Sequence, residues 1–185
     1  KINYNSKKIV SENCKREFSL LRKLEHKNII NLYDIILDKQ NENIYLVLDY
    51  FKNGDLEQYL NNRTLKEKYA KNYMFQLRDG LEYLISCKII HRDFKPQNLL
   101  IDDNYILKIT DFGLARYFNN DNMISTICGS PMYMAPEILK KKRYTIKSDL
   151  WSVGIILYQI LYGHPPFKAS NIVTLVKNIN EQSIN

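Results

Sequence analysis

Apolar positions along the first fifty residues change period twice. Over residues 14–24, Phe18, Leu20, Leu21 and Leu24 fall on one helical side with Glu17 beside them, which predicts a helix. Alternating apolar runs at 32–37 and 44–48 predict two strands, separated by the turn-forming residues 38–43 and followed by a short connector at 51–54. Thr64 with Glu67 three residues on forms a capping-box pattern that predicts a long helix to about residue 87. Along it Ala70, Tyr73, Met74, Leu77, Leu81, Leu84 and Ile85 recur at helical spacing. Short apolar runs between polar loops at 89–110 suit small strands. Ser148 or Asp149 can cap a helix to Tyr162 that is apolar nearly all round and belongs in a core. After Pro165 and Pro166, Ser170 can cap a last amphipathic helix carrying Ile172, Val173, Leu175, Val176 and Ile179. The front of the chain is therefore mixed and the back helical.

Composition narrows the class. The chain has 185 residues, 45% hydrophobic and 25% charged, enough apolar content for one globular unit or two small lobes. With 6 Gly, 5 Pro and 3 Cys it is neither collagenous, disordered nor disulfide-framed. Cys14, Cys87 and Cys128 are odd in number and far apart, and read as free thiols in a reducing compartment. Residues 1–10 have no apolar core and form no signal peptide. The longest apolar stretch, 150–162, is too short to span a bilayer and contains Ser152 and Gln159. No membrane span and a cytoplasmic location are expected. The net charge of +7 is spread along the chain, and only residues 140–143 form a basic run, which reads as a solvated loop. A nucleic-acid binder would concentrate its charge on one element, so no nucleic-acid partner is expected.

The chemistry lies in His91-Arg92-Asp93-Phe94-Lys95-Pro96-Gln97-Asn98, then Asp111-Phe112-Gly113, then Ala135-Pro136-Glu137. Asp93, Asn98 and Asp111 are hard oxygen donors on loops beside apolar strands. Such donors suit Mg²⁺, which keeps waters and binds through few carboxylates plus substrate phosphates. Lys95 among them can neutralise phosphate charge, and a neighbouring carboxylate can take a proton from an attacking hydroxyl. Phosphoryl transfer is the natural reaction for this set.

These residues resemble the protein-kinase signature H-R-D-x-K-x-x-N, D-F-G and A-P-E, and the resemblance covers the whole chain. The five matched positions of the first motif alone have a chance probability on the order of 10⁻⁶ to 10⁻⁷ per site. The resemblance implies an α+β, bilobal kinase-like fold. Residues 1–49 would form a partial N-lobe, 50–54 the hinge and 55–185 a mostly helical C-lobe. It implies that Asp93 orients and deprotonates the substrate hydroxyl. Lys95 would contact the γ-phosphate of ATP, in the place typical of Ser/Thr rather than tyrosine kinases. Asn98 and Asp111 would hold Mg²⁺. Glu17 matches the helix glutamate that pairs with a strand lysine. Leu48 matches the gatekeeper, and Asp49, Tyr50 and Phe51 the hinge whose backbone meets adenine. Asp55 matches a position near the ribose, where it can equally cap the short helix after it, and Leu100 matches the floor beneath adenine. Leu21, Leu32, His91 and Phe112 resemble a stacked spine, in which His91 packs rather than reacts, and Asp149 would anchor the catalytic loop.

Arg92 before the catalytic Asp is the pattern of control by activation-loop phosphorylation. Ser125, Thr126 and Ser130 are the hydroxyl candidates, and Thr126 is the expected regulatory phosphosite, its phosphate pairing with Arg92. The run Cys128-Gly129-Ser130-Pro131-Met132-Tyr133-Met134-Ala135-Pro136-Glu137, with Asn53-Gly54-Asp55-Leu56, is similar to the autophagy-initiating (ULK-like) Ser/Thr kinases. The calcium/calmodulin-dependent group is the alternative. Phe94 stands where Leu is usual. Partners implied are ATP, protein substrates with Ser/Thr acceptors, and regulatory subunits bound through regions absent here.

Two departures from the family accompany this. No G-x-G occurs, so the phosphate-covering strands are missing, and the family's spacing back from Glu17 places the strand lysine one residue before Lys1. Lys1 could serve only after a one-residue deletion. The family also continues past the helix at 171–179 with further helices, one bearing the arginine partner of Glu137. A chain truncated at both ends is the expectation, with Glu137 lacking that arginine, the core at 149–162 partly uncovered, and weak or absent ATP turnover. The alternative function is a pseudokinase or scaffold that binds without phosphotransfer.

Overall fold

In the computed structural model, residues 2–3, 12–38, 40, 43–61, 63–118 and 128–182 are described. A two-residue strand, β1 (Ile2–Asn3), precedes helix α1 (Glu12–Leu21), strand β2 (Leu32–Asp38) and strand β3 (Asn43–Leu48). The three strands form one antiparallel sheet in the order β1-β3-β2. Its register runs from Leu32 opposite Leu48 to Asp38 opposite Asn43, with an irregularity between Leu32 and Asp34. Both strands thus form where alternation predicts them. β1 is too short for any periodicity to betray it.

Helix α1 ends earlier than expected. The Lys23 N–H bonds the Leu20 carbonyl at 2.9 Å, a tightened last turn that leaves Leu24 beyond the helix yet buried with Leu20 and Leu21. Residues 28–30 then run alongside β6 (Leu107–Ile109): Ile109 N–H bonds Asn28 O at 2.9 Å and Ile30 N–H bonds Ile109 O at 3.0 Å. That stitch joins the front of the chain to the helical part.

Helix α2 (Leu56–Leu60) is short, and α3 (Glu67–Ser86) is the long helix. Its buried stripe is Ala70, Tyr73, Leu77, Gly80, Leu81 and Leu84, with Met74 and Ile85 half-buried beside it. Gly80 marks the closest approach to β6, since a Cβ there would lie 2.6 Å from Ile109 Cδ1. The expected Thr64–Glu67 capping box is not formed. Lys66 is the N-cap, and its ammonium side chain, a donor only, makes no cap bond; the preceding Leu65 N–H is engaged outside the helix by Ile160 O at 2.9 Å. Four short strands follow: β4 (Ile89–Ile90), β5 (Leu99–Ile101), β6 and β7 (Arg116–Tyr117), pairing as β4-β7 and β5-β6.

A one-turn helix α4 (Pro136–Leu139) leads to α5 (Ile146–Tyr162). The cap of α5 is Thr145 rather than Ser148 or Asp149. Ser148 is the third helical residue and accepts the Thr145 N–H at 3.2 Å, a capping box set one turn earlier. Gly163 closes the helix at φ 79°. The last helix, α6 (Ile172–Glu181), is capped by Asn171, whose Oδ1 accepts the Thr174 N–H at 2.9 Å, and not by Ser170.

One connected apolar core runs from Leu20, Leu24 and Ile29 through Leu77, Leu84, Leu99 and Ile109 to Ile156 and Ile160. The architecture is α+β, as expected. Leu150 and Tyr162 on α5 are more than half exposed, in keeping with an incompletely covered helix. Among the described residues, no helix is long and apolar enough to cross a membrane.

Candidate active site

The loop after β4 is held from below. Asp149, buried within α5, accepts the His91 N–H at 2.8 Å and the Arg92 N–H at 2.9 Å. Burial pushes the Asp149 carboxyl above its ordinary range, against those two amide donors, which favour the ionised form. Arg92 itself takes φ 71°, a conformation an L-residue adopts only when its surroundings enforce it. His91 is fully buried. Its Nε2 meets Thr110 O at 2.9 Å while Nδ1 accepts the Asp93 N–H at 3.3 Å, a pattern that assigns the proton to Nε2. The ring packs against Phe94 at 4.6 Å and edge-on to Phe112 at 5.1 Å. Its role is packing and loop alignment.

These bonds present Asp93 to a set of donors. Lys95 Nζ donates to Asp93 Oδ2 at 2.7 Å and Asn98 Nδ2 to the same oxygen at 3.1 Å, with a further bond from Asn98 Nδ2 to Asp93 O at 2.8 Å. Ser130 donates to Asp93 Oδ1 through both N–H (3.0 Å) and hydroxyl (3.1 Å), and its Oγ accepts from Lys95 at 3.2 Å. The sequence suggested Ser130 only as one of three hydroxyls open to phosphorylation. Its contact with Asp93 depends on Gly129, at φ 104°, where a Cβ would lie 2.6 Å from Arg92 O and 3.3 Å from Asp93 Oδ1. The glycine preceding a hydroxyl was the available signal. Polar residues in otherwise apolar α5 complete the platform: Ser152 donates to Tyr133 O at 2.7 Å, and Gln159 accepts the Tyr133 hydroxyl at 2.7 Å.

Asp111 adjoins this cluster through its neighbour Thr110, whose N–H bonds Asn98 O at 3.0 Å. Asp111 sits in the left-handed region (φ 63°, ψ 72°) at the head of the 3₁₀ turn Phe112–Leu114, and its exposed carboxylate accepts the Gly113 N–H at 3.4 Å. A Cβ on Gly113 would lie 3.3 Å from Asp111 Oδ1 and 3.8 Å from Glu17 Oε2, so both carboxylates flank the turn. Burial, then repulsion from Asp111, pushes the Glu17 carboxyl up. Lys1, considered as a partner for Glu17, lies outside the described residues. With its amide nitrogen committed to Asp93, Asn98 offers a cation its Oδ1, and Asp111 offers a solvent-facing carboxylate. Among the described residues, no three His, Cys, Asp or Glu side chains gather into a cage. The Asn98 Oδ1 and the Asp111 carboxylate are hard oxygens of the kind Mg²⁺ takes, its remaining ligands coming from water and phosphate.

Leu48 pairs with Leu32 across the sheet, and Leu32, Leu48, Phe51 and Leu100 are all half-buried against the main core. Asp49 uses its side chain as well as its backbone. It accepts bonds from the Asn31 N–H, the Tyr33 hydroxyl and Lys108 Nζ, a network with no local sequence signal. Asp55 caps α2, accepting the Gln58 N–H at 2.8 Å, and forms a single antiparallel bridge with Leu100. Arg92 Nε donates to Leu114 O at 2.7 Å and its guanidinium lies 5.3 Å from the Tyr144 ring centre. Ser125 and Thr126 lie outside the described residues. Glu137 accepts a hydrogen bond from Ser148 Oγ at 3.1 Å. Residues 140–143 are exposed, as a solvated run should be.

Comparison with known proteins agrees with this geometry. A family model described as "Protein kinase domain" matches residues 1–185. Serine/threonine-protein kinase atg1 of Dictyostelium discoideum is 42% identical over 185 residues, covering 97% of this chain and 27% of that protein. Serine/threonine-protein kinase ATG1a of Arabidopsis thaliana is 45% identical over 174 residues, covering 92% of this chain and 28% of that protein. Serine/threonine-protein kinase ULK1 of Homo sapiens is 44% identical over 166 residues, covering 84% of this chain and 16% of that protein. The chain thus spans 16% to 28% of the length of these relatives.

Proposed function

The chain belongs to the protein kinase domain family, and from that premise we propose that the protein transfers the γ-phosphate of ATP to Ser/Thr hydroxyls of proteins. The observation that carries this reading is the Asp93 carboxylate, buried yet bonded at once by Lys95, Asn98 and Ser130. In the proposed reaction a substrate hydroxyl oxygen forms a bond to the γ-phosphorus while the β–γ bridging bond breaks and ADP leaves. Asp93 accepts the hydroxyl proton. Lys95, anchored between Asp93 and Ser130, places its ammonium charge against the transferring phosphate. Asn98 and Asp111 would hold Mg²⁺, which when bound neutralises charge on the phosphate oxygens. Asp149 keeps the loop in register by holding the His91 and Arg92 amides.

For the nucleotide, the half-buried Leu48, Phe51 and Leu100 support an adenine site with the backbone of 49–51 along its edge. Asp55 stands beside Leu100 and is placed for the ribose while capping α2. Glu17, next to the Asp111 turn, is the proposed partner of a phosphate-contacting lysine. The corresponding organisation is an N-lobe portion at 1–49, a hinge at 50–54 and a C-lobe portion at 55–185. Thr126 is the proposed regulatory phosphosite, answering to Arg92. Similarity to kinases named atg1, ATG1a and ULK1 supports a role in autophagy initiation, in preference to a calcium/calmodulin-dependent role; a cytoplasmic location and regulatory subunits complete the proposal.

Transfer from Mg·ATP to Ser/Thr peptides, compared between the unsubstituted protein and Asp93→Asn, tests the reading. Loss of the general base is expected to lower transfer by about 10²- to 10⁴-fold. Transfer indifferent to Asp93 refutes the assignment. Mg·ATP binding without Asp93-dependent transfer identifies a pseudokinase.

A further inference from the structure

The side chain of Asp49 is gripped from two other parts of the fold. Its Oδ2 accepts the Asn31 N–H at 3.0 Å and Lys108 Nζ at 2.7 Å, and its Oδ1 accepts the Tyr33 hydroxyl at 2.6 Å. Asn31 immediately precedes β2, Tyr33 lies at its start, and Lys108 belongs to β6. The ion pair is largely shielded, each side chain being 14% exposed, unlike the mostly solvent-facing pairs elsewhere on the surface. Desolvation pushes the Asp49 carboxyl up, yet the bonds from Lys108, Tyr33 and Asn31 outweigh it and hold the group below its ordinary range.

The place of Lys108 gives this pair its meaning. In the β5-β6 register Lys108 lies directly opposite Leu100, and in the chain it stands three residues before Asp111. Paired residues on antiparallel strands share a face, so the lysine stem rises beside the Leu100 side chain and its ammonium reaches Asp49. One side chain thereby ties together the backbone at 49–51, the apolar floor and the strand that leads into Asp111. Backbone bonds already join these segments in pairs, Ile101 N–H to Gly54 O at 3.0 Å and Asp49 N–H to Asn31 O at 3.4 Å among them; Lys108 adds a side-chain tie that reaches Asp49 directly from β6.

We propose that Lys108 is a positioning residue for nucleotide binding: through Asp49 it sets the distance between the 49–51 backbone and Leu100, and so the affinity for the base of ATP. The proposal deepens the kinase reading and rests on it. It assigns Lys108 no contact with phosphate, so its effect falls on the base-dependent part of binding alone. A lysine that only stabilised the fold would alter every ligand alike.

Calorimetric titration of Mg·ATP and of Mg·tripolyphosphate, which lacks the base, separates these cases. For Lys108→Met the ATP dissociation constant is expected to rise about tenfold, equivalent to about 1.4 kcal/mol, with tripolyphosphate unchanged. Lys108→Arg, which keeps the charge and donors, is expected to restore ATP affinity to within about twofold. Should Lys108→Met fail to fold, Tyr33→Phe removes another donor to the same carboxylate at a residue 66% exposed. It is expected to weaken ATP by about twofold to threefold without touching tripolyphosphate. ATP affinity that is unchanged in the folded variants, or weakened equally with tripolyphosphate, overturns the proposal. Absence of Mg·ATP binding by the unsubstituted protein overturns the kinase reading and this proposal with it.

Discussion

Replacing Asp149 by alanine removes the one side chain that satisfies two buried amides, His91 N–H and Arg92 N–H. Bulk water does not reach either residue, since His91 is fully buried and Arg92 is 5% exposed. Each orphaned donor costs about 1–3 kcal/mol, which sums to about 2–6 kcal/mol before any relief. Relief comes from no longer burying a carboxyl that burial already holds above its ordinary range, so the net loss should fall near the lower half, about 2–4 kcal/mol. Urea unfolding reads this directly: with a slope of about 1–3 kcal/mol/M, the midpoint falls by about 0.7–4 M. Asp149→Asn keeps one acceptor oxygen and turns an amide group toward the other N–H, so it should recover only part of the loss. Amide hydrogen exchange gives the local check, because protection at His91 and Arg92 should collapse beyond the global change. A midpoint shift worth under about 0.5 kcal/mol, with those two amides still protected, would show that the loop holds its own conformation and would refute the reasoning.

Gly129→Ala should displace the loop that brings Ser130 to Asp93, because its φ is 104° and the added methyl would meet Arg92 O at 2.6 Å. A loss of about 1–3 kcal/mol in stability is expected, with a larger fall in phosphotransfer than stability explains; unchanged transfer would show that Ser130 need not touch Asp93. The Asp49–Lys108 pair predicts a pH dependence of definite sign. Its carboxyl titrates below its ordinary value of 3.8 when folded, so the stability it contributes is present above that value and is lost as pH falls through the lower folded value. Between pH 7 and about pH 3, unfolding midpoints of the unsubstituted protein should therefore fall more than those of Lys108→Met, and parallel profiles would contradict it.

How much of this was legible in the sequence follows from where each residue's partners lie. Asp93, Lys95 and Asn98 are within six residues of one another and bond directly, so their spacing already implied a shared site. Asp149 was legible as an anchor through family resemblance, and mistaken as a cap by local rules, because a carboxylate near a helix start satisfies both patterns. The Thr64–Glu67 motif failed for a similar reason: the local signature was intact, but Ile160 O took the Leu65 N–H and the helix opened later. Ser130 carried only the weak signal of a glycine before a hydroxyl and Lys108 none, since each acts on a partner dozens of residues away, through a glycine conformation in one case and a strand register in the other. Local spacing therefore names the atoms that would do chemistry, whereas the side chains that hold them in place emerge only from register and turn geometry. Substitutions at those holding contacts, Asp149, Gly129 and Lys108, act on the site while the Asp93 and Asp111 carboxylates themselves stay in place.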